Sequence, residues 1–112
     1  MAPRSPSVLS AEDIQSVAPA LARFGSEVLI GDLWQRTELS RRDRSIVTVA
    51  ILIARNQPAE LKHNVEVALD NDVTAAEISE IITHLAFYSG WPNAFSAVAV
   101  VSEVLRARGL AG

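Results

Sequence analysis

The chain of 112 residues has the length of one domain and can bury only a modest core. Its net charge of -3 argues against nucleic-acid binding, for which proteins usually carry a basic surplus. The chain has no cysteine, which excludes disulfides, thiolate metal sites and thiol catalysis.

The distribution of apolar residues gives no sign of membrane insertion or export. The longest unbroken apolar run, from Val49 to Ala54, is far shorter than the roughly 20 residues that span a bilayer. Residues 1–7 lack the apolar segment of a signal peptide. We therefore expect no membrane partner and a cytoplasmic location.

The first part of the chain predicts a loose end followed by two helices. Residues 1–9 should be flexible, whereas residues 10–112 should form a single all-helical domain. Ser10 is a good N-cap for a short helix that ends near Val17. A second helix is predicted over residues 19–29, because proline 19 suits a first helical turn and apolar residues recur at helical spacing.

The third predicted helix, over residues 41–55, is the most apolar segment. Ser40 is its N-cap and Asp43 lies in the first turn. Its β-branched residues would also suit a strand, but the cap and the length favour a helix. A helix that is apolar on every side is buried on every side, so we expect other subunits to help cover it.

Two further helices are predicted over residues 58–71 and 75–89, and a short break at Asn71 and Asp72 separates them. Thr74 and Glu77 form a capping box for the second of them. A short break predicts an antiparallel hairpin.

Gly90 and Pro92 lead into a last helix over residues 93–108, which Gly109 ends. The turn signals are spaced for helices, not for short strands, so the predicted fold class is all-α, with about six helices.

The candidate chemical residues lie between residues 58 and 92, where both histidines of the chain occur. Glu60 and His63 form an i, i+3 pair that can share a proton, with the histidine as general base and the glutamate as its orienter, or with the glutamate as the acid. They can also supply two metal ligands, but two are too few for a site, so no metal is predicted. The simpler interpretation is a solvated or interface face.

His84 borders an apolar stripe one turn before Tyr88, and is either an edge residue or a second acid–base group. Tyr88 and Trp91 have apolar bodies with one polar atom each, which suits a pocket or an interface. Because a hairpin places the start of one helix beside the end of the next, Glu60 and His63 are predicted to converge with His84 and Tyr88 near a subunit boundary.

Three sequence features together resemble the carboxymuconolactone decarboxylase family, over about residues 17–104. They are Phe24-Gly25 with Gly31–Arg36 leading into Leu39–Ser45, then Glu60-Leu61-Lys62-His63, and then Thr74–Glu80 running into Tyr88–Pro92. The resemblance implies an alkylhydroperoxidase D-like all-α fold and homo-oligomers, either trimers or hexamers. It also implies cofactor-free decarboxylation of a carboxylated lactone in the breakdown of aromatic acids. The peroxide reduction of related proteins requires a cysteine pair, so it is not expected here.

Two functional classes remain open at this stage. The first is a small lyase or isomerase that acts on a carboxylated lactone or a related acid. In that class His63 or His84 would donate the proton, Arg44 or Lys62 would hold a carboxylate, and Tyr88 and Trp91 would line the substrate site. The second is a non-catalytic oligomeric module that binds a ligand or acts as a scaffold.

Overall fold

The computed structural model describes residues 10–110, and it is all-α, as predicted. No strand occurs among these residues; the predicted flexible segment 1–9 lies outside them, as do residues 111–112. The six α-helices are α1 (Ala11–Val17), α2 (Pro19–Phe24), α3 (Arg41–Ala54), α4 (Pro58–Asp70), α5 (Ala75–Ser89) and α6 (Trp91–Ala107). A π-helix (Gly25–Ile30) follows α2, and a 3-10 helix (Leu33–Gln35) comes next.

The helices form two groups, residues 10–41 and residues 42–110, within which most contacts fall. In the first group, α1 begins with a capping box. The Ser10 hydroxyl accepts a hydrogen bond from the Asp13 amide at 3.0 Å, and the Asp13 carboxylate accepts one from the Ser10 amide at 3.5 Å. These bonds satisfy amide groups that a helix start otherwise leaves without partners.

The second helix differs from its prediction. It ends as an α-helix at Phe24, and residues 25–30 continue as a π-helix in place of the α-helical turns predicted to residue 29. The π-helix ends at Gly31, where an added Cβ would lie 2.7 Å from the Glu27 carbonyl oxygen. The backbone can therefore turn this tightly only because residue 31 has no side chain.

The second group contains the core, and α6 is its central packing partner, because both α4 and α5 pack closely against it. Helices α4 and α5 are therefore held together mainly through α6, and not by the direct packing that the predicted hairpin implies. The buried apolar residues are Val49 and Ile53 of α3, Leu61, Val65 and Ala68 of α4, Val73, Ile78, Ile82 and Ala86 around α5, and Ala94, Ala97, Val101 and Val104 of α6.

Helix α3 is buried along one face only in the single chain. Ser45, Val49 and Ile53 are buried, whereas Val47 and Ile51 are 58% and 50% exposed. Residues 42–110 therefore cover only part of the apolar surface of this helix. Burial on every side requires a further subunit and stays a prediction.

Helices α5 and α6 are joined by one residue. The capping box of Thr74 and Glu77 starts α5, as predicted. Helix α5 ends at Ser89, and α6 begins at Trp91, two residues earlier than predicted. Gly90 between them has a φ of 99° and a ψ of 150°, a conformation that favours glycine. Among residues 10–110, no helix has the length and hydropathy needed to cross a bilayer.

Candidate functional site

Among the described residues, the cavity with the most ionisable lining residues is a groove of about 390 Å³ between α3 and α5. Its apolar lining comes from Ile46 and Ala50 of α3 and from Ile81 and Leu85 of α5, and its ionisable lining residues are Glu77, Glu80 and His84. The three ionisable residues follow one another at intervals of three and four residues, so they share one face of α5.

An ion pair joins the two helices at one end of this groove. Arg42, in the first turn of α3, donates a hydrogen bond to Glu77 Oε2. The other carboxylate oxygen of Glu77, Oε1, accepts a hydrogen bond from the Thr74 amide at 3.0 Å. One side chain therefore both caps α5 and links it to α3, and its negative charge faces a guanidinium.

At the other end of the groove, His84 stacks on Tyr88. The two ring centroids are 4.8 Å apart and the ring planes differ by 24°. Tyr88 is 80% exposed, so its outer side is open in the single chain. The structure thus brings together two of the four residues that the sequence predicts to converge.

The other two, Glu60 and His63, are exposed on α4 and do not line this groove. His63 lies two residues from both Leu61 and Val65, which are buried. Two residues correspond to about 200° around a helix, so His63 points away from the core of its own chain. Its convergence with His84 would need a second subunit and stays a prediction.

The predicted carboxylate-binding and pocket residues lie apart from one another. Lys62 donates from Nζ to Glu103 Oε1 of α6 at 2.8 Å, and this hydrogen bond raises the pKa of Lys62. Arg44 is half-buried on α3, and its carbonyl oxygen accepts a hydrogen bond from the Thr48 hydroxyl at 2.9 Å. Trp91 is 54% exposed at the start of α6.

A second concavity, of about 650 Å³, lies within residues 11–36 and is almost wholly apolar. Its charged lining residues are Asp32 and Arg36. Within residues 10–110, no group of three or more histidine or carboxylate side chains could hold a metal ion.

The sequence did not predict that α3 contributes to the lining of the groove. The sequence pattern places Glu77 in the cap of α5 and gives no indication that Arg42 contacts it. The available signal was the position of both residues in the first turns of their helices. That signal cannot show which helices become neighbours, because the pair spans 35 residues.

Comparisons with known proteins agree with this all-α structure. The model of the carboxymuconolactone decarboxylase family matches residues 19–103. The chain is 32% identical over 102 residues to a 4-carboxymuconolactone decarboxylase of Acinetobacter baylyi, with 91% of this chain and 76% of that protein covered. It is 31% identical over 105 residues to a nitrosuccinic acid decarboxylase of Metarhizium robertsii, with 88% and 73% covered. Since the family model spans most of the chain, the protein belongs to the carboxymuconolactone decarboxylase family.

Proposed function

We propose that the protein is a decarboxylase of small organic acids that carry an electron-withdrawing group beside the carboxylate that leaves. The names of the two relatives support this class, because one names a lactone acid and the other a nitro acid as the substrate. A lactone or nitro group can accept the electron pair that remains on carbon when CO2 departs. Such reactions need a site that stabilises the negative charge left on the substrate when CO2 departs and that then supplies a proton.

The observation that carries the proposal is the groove in which a histidine adjoins an apolar floor. Ile46, Ile81 and Leu85 present few hydrogen-bonding groups to a bound carboxylate. A carboxylate with less hydration loses CO2 more readily, because the charge is more dispersed in the transition state than in the ground state. Arg42 places a cation at the groove rim, through its contact with Glu77.

In the proposed reaction, the bond between the carboxylate carbon and its neighbour breaks, and its electron pair passes to the neighbouring carbon. The electron-withdrawing group delocalises this pair as an enolate or a nitronate. The protonated imidazole of His84 then donates a proton to the carbon and becomes neutral. Solvent restores the proton before the next cycle, so the reaction consumes one proton and releases one CO2.

His63 is the second candidate proton donor, with Glu60 as its orienting partner at a subunit boundary. The chain has only these two histidines, so matched variants can assign the role. His84→Gln and His63→Gln each replace an exposed imidazole with a neutral amide and should leave the fold unchanged. We expect a loss of 10²–10⁴-fold in kcat from the variant that removes the general acid, and little change from the other.

The measurement is CO2 release from 4-carboxymuconolactone and from nitrosuccinic acid, with the circular dichroism of each variant as the control for folding. Full activity in both variants would contradict histidine acid catalysis. Absence of turnover by the unaltered protein on both acids, together with saturable binding of one of them, would favour the non-catalytic ligand-binding module. Binding and turnover of neither would contradict the proposed substrate class.

A further inference from the structure

We propose that the groove between α3 and α5 selects acids whose only charge is the carboxylate that leaves, and that Glu80 sets this selection. The substrate class is then a monocarboxylic acid with an uncharged, apolar remainder. This choice of substrate rests on the proposed function, because it concerns the same groove. The preference for one negative charge over two rests on the residues of the groove and can be measured by binding alone.

The groove offers one positive charge to a bound acid. His84 is the only basic side chain among the described residues that line it, and the other two ionisable lining residues, Glu77 and Glu80, are acidic. One carboxylate can therefore face the protonated imidazole of His84. A second carboxylate on the same ligand finds no second cation in the lining.

The cation at the rim of the groove is already engaged with acidic side chains. Arg42 donates a hydrogen bond to Glu77 Oε2, and its Nη1 lies 3.7 Å from Asp43 Oδ1. The positive charge of Arg42 is thus shared between two carboxylates of the chain. A ligand carboxylate would have to compete with them, so it gains less there than from an unpaired guanidinium.

Glu80 adds a negative charge that the described part of the chain does not neutralise. Among residues 10–110, its carboxylate has no partner in a hydrogen bond or an ion pair. Glu80 is exposed on α5 one turn before His84, so about 6 Å of helix separates the two positions. An acid whose reacting carbon lies at His84, and whose remainder extends along the groove towards Glu77, therefore passes Glu80.

The floor of the groove favours the same class of acid. Ile46, Ala50 and Ile81 give apolar contacts and have no hydrogen-bonding group in their side chains. Each methylene that a ligand buries there should strengthen binding roughly fourfold. A carboxylate in the same place would lose water without gaining a hydrogen bond. The volume of about 390 Å³ is within the usual range of small-molecule pockets, so an apolar remainder has room.

The like charge on Glu80 sets the expected size of the selection. Two negative charges about 6 Å apart, at an effective dielectric constant of about 40, repel each other enough to weaken binding roughly tenfold. Such a repulsive element gives specificity in addition to the attraction of the apolar floor. Because the repulsion acts equally on the bound acid and on its transition state, it should raise KM and leave kcat unchanged.

Turnover of two matched acids tests the selection, with the spontaneous rate subtracted. Nitrosuccinic acid has a second carboxyl group, and 2-nitrobutanoic acid has a methyl group in its place. We expect the KM of the unaltered protein to be roughly tenfold higher for the diacid, and Glu80→Gln to lower that KM by about the same factor. Glu12→Gln removes the same charge from an exposed site on α1 outside the groove lining, and should leave both KM values unchanged.

Several results would overturn the proposal. Equal KM values for the two acids in the unaltered protein would contradict the selection, and an unchanged diacid KM in Glu80→Gln would contradict the role of Glu80. An equal loss of kcat on both acids in Glu80→Gln would show that Glu80 acts in the chemical step instead. The ratio of the two KM values should also shrink in 1 M salt, and a ratio independent of salt would exclude a charge as its origin.

Binding of two unreactive acids separates this proposal from the proposed function. Adipate has a carboxylate where hexanoate has a methyl group, and NMR titration of the His84 imidazole signals measures both dissociation constants. Weaker binding of adipate that Glu80→Gln restores, without turnover of any acid, would support the selection and contradict the proposed function. Turnover of both nitro acids with equal KM, together with equal binding of adipate and hexanoate, would support the proposed function and overturn the selection.

Discussion

Asn71 Nδ2 donates a hydrogen bond of 3.0 Å to the Ser45 hydroxyl, which is the buried polar side chain of the described core. Ser45 lies on α3, and Asn71 follows the last residue of α4. Asn71, which follows the end of α4, therefore also donates a hydrogen bond to a hydroxyl that is buried in the core. One residue therefore both marks the end of a helix and contacts a residue 26 positions earlier in the chain.

Asn71→Ala should lower the free energy of unfolding by about 1–3 kcal/mol, because it leaves the Ser45 hydroxyl buried without this donor. The double variant with Ser45→Ala should be less destabilised than the sum of the two single variants, since the buried hydroxyl is then absent. Urea unfolding measures all three. Asn64→Ala is the control: its amide bonds only to a carbonyl of its own helix, so the expected change is about 0.5 kcal/mol or less. Strict additivity would contradict the coupling.

Glu77 has two separable roles, and two substitutions distinguish them. Glu77→Gln keeps an oxygen acceptor for the Thr74 amide but removes the charge that faces Arg42. Since both partners of that pair are more than a third exposed, we expect a cost below about 1 kcal/mol that shrinks in 1 M salt. Glu77→Ala removes the cap as well and should cost about 1–2 kcal/mol. Thermal unfolding in low and high salt measures both; equal costs would show that the cap contributes nothing.

The two capping boxes explain why some helix starts are predictable from sequence. The sequence predicts Ser10 as an N-cap and Thr74 with Glu77 as a capping box, and both occur in the structure, where Asp13 also completes a capping box with Ser10. The packing around α6 could not be derived in the same way. It depends on which apolar faces meet, and the stripes of α4 and α5 are both compatible with a direct hairpin.

The π-helix is a second feature that the sequence pattern did not reveal, and Gly31 tests its cause. Gly31→Ala would place a Cβ 2.7 Å and 2.9 Å from two carbonyl oxygens, so we expect a loss of about 1–3 kcal/mol in stability or a shift of the π-turn. Gly25→Ala meets nothing within 4 Å and has a helical φ of -60°, so it should be neutral or stabilising by about 0.4–1 kcal/mol. Urea unfolding and circular dichroism compare the two. Equal effects would contradict the steric explanation.

The hydrogen bond from Lys62 to Glu103 predicts a titration shift with a definite sign. The pKa of Lys62 is raised above its usual 10.5, so the pair stabilises the fold fully below that pH. This stabilisation is lost as the pH rises through the raised value. Glu103→Gln should return the pKa of Lys62 towards 10.5, as measured by NMR titration of the lysine side chain. An unchanged pKa would show that the ion pair does not persist in solution.

The candidate site was predictable only in part. The spacing of His84 and Tyr88 placed both on one helix edge, and their rings do stack. The same reasoning placed Glu60 and His63 together on α4, but it could not fix the rotation of that helix. The buried stripe of Leu61 and Val65 sets the rotation, and it turns His63 outward.

The junction at Gly90 has a consequence for how the chain can vary in length. One added residue between α5 and α6 would turn every later side chain of α6 by about 100°. Phe87 would then keep its place while Trp91 rotated away from it, so the contact between these two rings would be lost although neither residue was replaced. Insertions are better tolerated between α3 and α4, where exposed residues Arg55 and Asn56 already form a turn. A library of random single-residue insertions should therefore be depleted at Gly90 and permissive at that turn.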